Sequence, residues 1–211
     1  MNDLGKRILF QGDSITDCGR SRDCADANTA LGPGYVNFIA GELLNRTPEK
    51  GLQIYNRGIS GHRVVDLYAR WKIDALNLKP DLISILIGVN DTWHGKNYDN
   101  GVEPERYQKI YRMLLEWTKA ELPAVKLVLC QPFVLLTGAV SADWLPEVAH
   151  RGEIVKSLAE EFGAVYVPFQ EVFSVAEKKA PANYWLGDGV HPTVAGHKLM
   201  AETWLEAVSR F

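Results

Sequence analysis

The chain has 211 residues, of which 46% are hydrophobic and 23% charged, and its formal net charge is −3 at pH 7. This mildly acidic composition argues against a nucleic-acid partner, which is usually bound by a clustered basic surface. No apolar run approaches the roughly 20 residues that a membrane-spanning helix needs. A chain of this length fits one domain, spanning residues 1–211, better than two.

The first residues and the cysteines indicate the cellular setting. The start MNDLGKRILFQG lacks the apolar segment and cleavage site of a secretory signal, which predicts a cytoplasmic protein. The three cysteines are odd in number and irregularly spaced, so we expect free thiols rather than a disulfide framework. The His, Cys and Asp residues show no persuasive ligand spacing, and we therefore expect neither a metal nor another cofactor.

Five short apolar runs, rich in β-branched residues and closed by Gly or Pro, predict strands that are buried on both faces. These runs are 7–12, 52–58, 81–88, 125–132 and 164–169. Amphipathic patterns predict helices near 34–46, 63–76, 104–120, 145–162 and 192–209. Strand and helix alternate five times, which predicts a three-layer α/β/α sandwich with a central five-stranded parallel sheet.

Small and polar residues follow the first three predicted strands. The segments are GDS at 12–14, GISG at 58–61 and GVND at 88–91. Ligands of open parallel sheets bind outside the carboxyl ends of the strands, so these segments are candidates for a functional site. Ser14 alone fits two interpretations, because it could cap the helix that follows its strand or act as a nucleophile aimed into a cleft.

A second group of candidates lies near the C-terminus, in WLGDGVHPTVAGH. Asp188 and His191 are three residues apart in a predicted loop. The carboxylate could hold the imidazole Nδ1–H and leave Nε2 free, which is the base and orienting half of a nucleophilic triad. The alternative is a helix N-terminus at which Asp188 is a local cap.

Four sequence blocks resemble those of the SGNH hydrolases, also called GDSL-type esterases. They are GDSIT, NRGISG, GVND and DGVHP, and they run from the first strand to the last helix. The resemblance implies a flavodoxin-like α/β/α fold and a serine esterase. It further implies that Ser14 is the nucleophile, His191 the base and Asp188 its partner, with an oxyanion hole formed by Ser14, Gly58 and Asn90.

The wider pattern is most similar to the family's intracellular carbohydrate acetylesterases. This implies short-chain acetyl esters as substrates, carried by hemicellulose-derived sugars such as acetylated xylo-oligosaccharides. A short-chain thioesterase and a lysophospholipase-type lipolytic esterase are the alternatives within the fold. A catalytically silent carbohydrate-binding module is the alternative that is not an enzyme. We expect a small acylated substrate, no membrane insertion, and leave a homo-oligomer open.

Several neighbouring residues are weaker candidates. We expect Asp91 to be a cap or loop anchor, and Asp13 to tie down its loop through backbone N–H groups. Aromatic rings near the predicted cleft suit stacking on sugars, although they equally suit a protein core. The candidate substrate pocket comprises Asp13, Trp93, His94, Tyr184 and Trp185.

Overall fold

A computed structural model describes residues 4–209, and its centre is a sheet of five parallel strands. The strands are β1 (Arg7–Gly12), β2 (Gln53–Asn56), β3 (Leu82–Leu86), β4 (Lys126–Cys130) and β5 (Val165–Val167). Each lies within the segment predicted for it. Their order is β2-β1-β3-β4-β5, which is the flavodoxin-like order and confirms the predicted fold class.

Helices cover both faces of this sheet. They are α1 (Ser14–Asp17), α2 (Tyr35–Arg46), α3 (Val64–Ala69), α4 (Trp71–Asp74), α5 (Val89–Tyr98), α6 (Pro104–Glu121), α7 (Leu145–Glu161), α8 (Phe169–Ala176), α9 (Ala182–Trp185) and α10 (Val194–Val208). Short 3₁₀ turns lie at Pro48–Lys50, Leu76–Leu78 and Ala142–Trp144. The helices predicted at 34–46, 104–120, 145–162 and 192–209 correspond to α2, α6, α7 and α10.

The helix predicted over 63–76 is wrong as a single element, because the chain turns at Arg70 between α3 and α4. The Arg70 guanidinium leaves the helix surface and donates to the carbonyl oxygens of Arg57 and Gly12, at 2.8 and 3.2 Å. Arg57 directly follows β2, and Gly12 is the last residue of β1. The break therefore lets one arginine bind the ends of two neighbouring strands.

Alternate residues of each strand pack on opposite sides of the sheet. Ile8 and Phe10 of β1 join the core under α2, α8 and α10, where Phe10 contacts Trp204 with ring centroids 5.2 Å apart. Leu9 joins the core under α3, α4, α6 and α7. Because helices cover both faces, the polar loops lie at the carboxyl edge of the sheet, where the predicted site residues follow the strands.

Candidate active site

Ser14 is the first residue of α1, directly after the turn that ends β1. The N-cap of this helix is Asp13, whose Oδ1 accepts the N–H of Ile15 at 3.0 Å. The capping role that the sequence left open for Ser14 therefore belongs to its neighbour. The Ser14 hydroxyl is left to make a different contact, with a residue 177 positions away in the chain.

That contact is the beginning of a hydrogen-bonded series of three side chains. Ser14 Oγ lies 2.8 Å from His191 Nε2, and His191 Nδ1 lies 2.7 Å from Asp188 Oδ2. A carboxylate only accepts, so Nδ1 carries the proton and Nε2 is the nitrogen that accepts the serine O–H. The structure thus brings together the three predicted side chains in the order that nucleophilic activation requires.

The Asp188 carboxylate is held by the loop that carries His191. Its Oδ1 accepts the backbone N–H groups of His191 and Val190, at 2.7 and 3.0 Å. Partial burial acts to raise the pKa of Asp188, but the hydrogen bonds from His191 and Val190 outweigh it and lower the pKa below its ordinary value. Asp188 is therefore ionised at neutral pH, which suits a partner for a ring that gains positive charge.

Asn90 lies in the first turn of α5 rather than in the loop that the sequence suggested. Its side chain is buried, and Nδ2 donates to the carbonyl oxygen of His62 at 3.2 Å. The adjacent Asp91 is a helix anchor, as predicted, because its carboxylate oxygens accept the N–H of Val64 at 3.1 and 3.2 Å. The amide of Asn90 thus lies against the loop that follows β2, next to Gly61.

Gly58 does not have the free N–H that its predicted oxyanion role requires. Its N–H donates to Asn56 Oδ1 at 2.9 Å, so the amide is already satisfied within the protein. A Cβ at this position would lie 2.4 Å from the backbone nitrogen of Asp17. Glycine is needed at 58 because the loop after β2 packs closely on α1, and the predicted oxyanion role of Gly58 is therefore corrected.

Gly61, three residues further on, has the properties that Gly58 lacks. Its N–H has no hydrogen-bond partner among residues 4–209, and neither does the N–H of Ser14. Nothing lies within 4 Å of the position a Cβ would take, and φ is +82°, a conformation that favours glycine. The residue after it, His62, contacts Asn90, so Gly61 is the better candidate for a backbone donor beside that amide.

The five candidate pocket residues separate into distinct groups. Trp93 lies beside the base, with its ring centroid 5.9 Å from that of His191. His94 follows it on α5 but its ring contacts Tyr98 instead, with centroids 5.6 Å apart. Tyr184 is 54% exposed and packs edge-on against Trp185. Substrate contact stays a prediction for Trp93, His94 and Tyr184.

Trp185 and Asp13 both make polar contacts within the protein. The Trp185 indole N–H donates to the carbonyl oxygens of Ala176 and Ala180, at 3.0 and 3.3 Å. Its ring lines a cavity with residues of α8 and with Leu199 of α10, because it closes the gap between these helices. Asp13 is only 1% exposed, since it lies beneath the turn that it caps. The prediction that Asp13 lines the pocket is therefore corrected, whereas substrate contact by Trp185 stays a prediction.

Two buried carboxyl groups lie beneath the site, in Asp13 and Asp91. Burial raises the pKa of each to about 7, because an ionised carboxylate is poorly solvated there. The charge of His191 partly opposes this shift at Asp13, and the charge of Arg151 partly opposes it at Asp91. Asp13 Oδ2 has no hydrogen-bond partner among the described residues.

Other features of residues 4–209 bear on the remaining expectations. This part of the chain contains no cluster of three or more His, Cys, Asp or Glu side chains that could hold a metal ion. Within the same range no helix combines the length and apolar character needed to cross a membrane. All three cysteines are free thiols, as predicted.

Comparison with known proteins identifies the family. The model of the GDSL-like lipase/acylhydrolase family matches residues 10–199. The chain belongs to this family. An acetylxylan esterase of Geobacillus stearothermophilus is 38% identical over 212 residues, which cover 97% of this chain and 94% of the relative. The predicted resemblance to the GDSL-type esterases is therefore confirmed, and the chain is an ester hydrolase.

Solved structures of GDSL relatives share the whole fold. A structure described as a GDSL-like lipase from Parabacteroides merdae is 48% identical, with a TM-score of 0.93 over 96% of this chain and 95% of that chain. An acetylxylan esterase from Geobacillus stearothermophilus is 37% identical, with a TM-score of 0.88 over 97% and 94%. Two further structures are catalytic mutants of that esterase, in which a serine or an aspartate is replaced by alanine.

Proposed function

We propose that this GDSL hydrolase is a serine esterase that removes acetyl groups from xylose-based sugars through an acetyl-enzyme on Ser14. The observation that carries the proposal is the series of two short hydrogen bonds from Ser14 through His191 to Asp188. The choice of acetyl group and sugar is supported by the relative from Geobacillus stearothermophilus, which is described both as an acetylxylan esterase and as an acetyl-xylooligosaccharide esterase.

The first step forms the acetyl-enzyme. Ser14 Oγ attacks the carbonyl carbon of the ester while His191 Nε2 accepts the hydroxyl proton, and the carbonyl electron pair moves onto oxygen. Asp188 keeps the ring in the required tautomer and stabilises the imidazolium that forms. His191 then gives its proton to the departing sugar oxygen, the bond between carbon and that oxygen breaks, and the acetyl group remains on Ser14.

Negative charge on the carbonyl oxygen requires preplaced donors. Three N–H groups suit this role: the backbone amides of Ser14 and Gly61, which have no partner within residues 4–209, and the side-chain amide of Asn90. One Nδ2 hydrogen of Asn90 bonds to the carbonyl oxygen of His62, which fixes the orientation of the amide. The other Nδ2 hydrogen is left for the substrate. A donor of this kind contributes about 2.7–4 kcal/mol to the transition state where it has been measured.

The second step regenerates the enzyme. A water molecule attacks the acetyl carbon while His191 Nε2 accepts one of its protons. The tetrahedral intermediate then expels Ser14 Oγ, which takes the proton back from His191, and acetate leaves. The same three donors serve both steps, because the negative oxygen develops at the same place in each.

Trp93 is the residue best placed to orient the sugar. It is partly exposed, its ring lies beside His191, and Trp144 supports it edge-on with centroids 5.4 Å apart. A rigid aromatic ring next to the base offers a flat apolar surface for a sugar ring, with little side-chain entropy to lose. We therefore propose that Trp93 contacts the leaving sugar, and that Trp93→Ala raises KM more than it lowers kcat.

The experiment is a comparison of kcat/KM across substrates that separate the alternatives. The set is acetylated xylo-oligosaccharides, p-nitrophenyl acetate, butyrate and octanoate, acetyl-CoA and a lysophospholipid, each with Ser14→Ala as control. The acetylated sugar and the acetyl ester are expected to be the best substrates. A preference for octanoate or lysophospholipid would make the chain a lipolytic esterase, and a preference for acetyl-CoA would make it a thioesterase.

Other expectations remain proposals of the same kind. We propose a cytoplasmic location, one domain over residues 1–211, and no dependence on a metal or another cofactor; a homo-oligomer remains open. Exhaustive chelation is expected to leave the esterase rate unchanged. Loss of activity on chelation, with recovery on addition of a divalent cation, would contradict metal independence.

A further inference from the structure

Asp17 ends the short helix that begins with Ser14, and its side chain is only 3% exposed. One of its carboxylate oxygens, Oδ2, accepts the Ser60 N–H at 3.0 Å and the Ser60 Oγ–H at 3.2 Å. The same oxygen accepts Arg22 Nη2 at 2.7 Å. A single carboxylate thus joins the helix that carries Ser14 to the loop that follows β2.

The attachment point is adjacent to the proposed oxyanion donor. Ser60 precedes Gly61 directly, so the Gly61 N–H belongs to the peptide group that joins these two residues. Ser60 is exposed, and no atom of residues 4–209 lies within 4 Å of a Cβ position at Gly61. The tip of this loop therefore has little side-chain packing of its own, and the bonds to Asp17 are what fix it relative to α1.

The earlier part of the same loop is held separately. Arg20 Nε donates to the carbonyl oxygen of Gly58 at 2.8 Å, and Asn56 Nδ2 donates to that of Thr16 at 2.6 Å. These bonds fix the residues that leave β2, whereas Asp17 bonds to the residue directly before Gly61. The residue after Gly61, His62, is held by Asn90 and Arg70 instead. A change at Asp17 is therefore expected to free the tip while the base of the loop stays in place.

We infer that Asp17 is a positioning residue that sets the distance between the Ser14 nucleophile and the Gly61 N–H, acting through its two hydrogen bonds to Ser60. The inference rests on the proposed function, since it assumes that an oxyanion forms between these two groups. Oxyanion donors act at 2.7–3.1 Å, and a displacement of about 1 Å can reduce the rate about 10²-fold.

The charge state of Asp17 suits this role. Burial acts to raise its pKa, but the hydrogen bond from Arg22, the two bonds from Ser60 and the charge of Arg22 outweigh burial and lower the pKa below its ordinary value. An ionised carboxylate accepts all three donors at once. An asparagine could place its carbonyl oxygen where Oδ2 lies and accept the same donors, but without the negative charge each of these hydrogen bonds would be weaker.

The test compares four variants by kcat, KM and inhibition by methylboronic acid. A boronic acid forms a tetrahedral adduct on the serine, with a hydroxyl group in the oxyanion hole, and therefore reports the donor geometry without turnover. Asp17→Ala is expected to lower kcat by about 10²-fold, with a small change in KM, and to weaken boronate inhibition by a similar factor. Asp17→Asn and Ser60→Ala are expected to show smaller losses in both quantities.

Arg22→Ala is the matched control, because it removes the charge partner of Asp17 and leaves both bonds to Ser60. The Arg22 side chain is 56% exposed whereas that of Asp17 is buried, so Arg22→Ala is expected to lower kcat, but by less than Asp17→Ala does, because both hydrogen bonds to Ser60 remain. An equal loss in Arg22→Ala would overturn the inference. The inference would also be overturned if Asp17→Asn or Ser60→Ala folded and lost kcat while boronate inhibition stayed unchanged. A folded Asp17→Ala variant with wild-type kcat would overturn it as well.

Failure of the proposed function would look different. In that case wild-type enzyme would resist the boronic acid, and Ser14→Ala would hydrolyse acetyl esters as fast as wild type. If Asp17→Ala does not fold, the two milder variants and the Arg22 control still decide the matter, because each keeps at least one of the bonds to the loop.

Discussion

Two concave regions of the molecule differ in what they offer a ligand. The active-site cleft is formed by the loops that end β1, β2 and β3 and by the loop before α10, and its polar atoms are joined by hydrogen bonds of 2.7–3.2 Å. The edge groove, between β5, α8 and α10, encloses about 750 Å³ and is lined by apolar residues and exposed glutamates. Its lining residues include Tyr166, Val172, Leu199, Ala207 and Glu206.

Cavity volume therefore does not identify the catalytic site of this protein. A well-formed apolar pocket is the usual first candidate for a binding site. Here the groove offers volume, whereas the cleft holds the hydrogen-bonded series of nucleophile, base and orienting carboxylate and, at Ser14 and Gly61, backbone N–H groups that have no partner among residues 4–209. Four substitutions, given in order of decreasing expected effect, test whether activity depends on these cleft groups rather than on the groove.

Ser14→Ala is expected to lower kcat by roughly 10⁶-fold, because it removes the nucleophile of the cleft. The fold is expected to persist, since Asp13 caps α1 and, within residues 4–209, the Ser14 hydroxyl bonds only to His191. Ester hydrolysis together with the circular dichroism spectrum and melting temperature checks both halves. Near-normal activity in a folded variant would show that another part of the molecule carries out the catalysis.

Asn90→Ala is expected to lower kcat by about 10²–10³-fold while KM changes little, because the amide acts on charge that develops in the transition state. Steady-state kinetics on an acetyl ester measure the two constants. The matched control is Asn97→Ala, an exposed residue of the same helix, which should leave both unchanged. A variant with intact kcat and raised KM would make Asn90 a ground-state binding residue.

Asp13→Asn is expected to change how stability depends on pH. Burial raises the pKa of Asp13 from 3.8 to about 7, so the unfolded chain loses this proton at lower pH than the folded protein. Wild type therefore loses stability relative to the variant as pH rises from about 4 to about 7, by at most about 4 kcal/mol.

Melting temperatures of both proteins at pH 4, 6 and 8 check this expectation. The difference between Asp13→Asn and wild type should grow with pH, while Glu206→Gln, an exposed carboxylate of the edge groove, should show no such trend. If the difference in melting temperature between Asp13→Asn and wild type did not change with pH, burial would not raise the pKa of Asp13.

Val172→Ser places a hydroxyl in the edge groove and is expected to have the smallest effect. The residue is partly exposed and lies on α8, which is not among the elements that form the cleft, so kcat/KM should stay within about twofold of wild type. Kinetics with acetylated xylo-oligosaccharides measure this. A loss as large as that of Asn90→Ala would show that the groove takes part in catalysis or substrate binding.

The fold and the catalytic side chains were accessible from the sequence for a physical reason. Parallel strands buried on both faces are nearly continuous apolar runs, and their carboxyl ends share one edge of the sheet. Ser14 and His191 could therefore be expected to meet although 177 positions separate them. Helix α8 was not predicted, although Phe169, Phe173 and Ala176 recur at helical spacing and are buried in the structure.

The features that sequence reasoning missed depend on contacts between distant segments. The first turn of α5 is polar yet buried, because Thr92 pairs with the buried Arg151 of α7 at 3.0 Å. The choice between Gly58 and Gly61 depends on Asn56, whose side chain occupies one glycine N–H and leaves the other free. Neither contact has a signal in hydrophobic periodicity or residue spacing.

The central claim is that Ser14 is the nucleophile, and a serine-directed fluorophosphonate tests it most directly. Wild-type enzyme is treated with limiting reagent, the remaining acetylesterase activity is measured, and the modified peptide is identified by mass spectrometry. We expect one adduct per chain, on the peptide that contains Ser14, with activity falling in proportion to labelling. Labelling at another residue in step with inactivation, or full activity in completely labelled enzyme, would contradict the account.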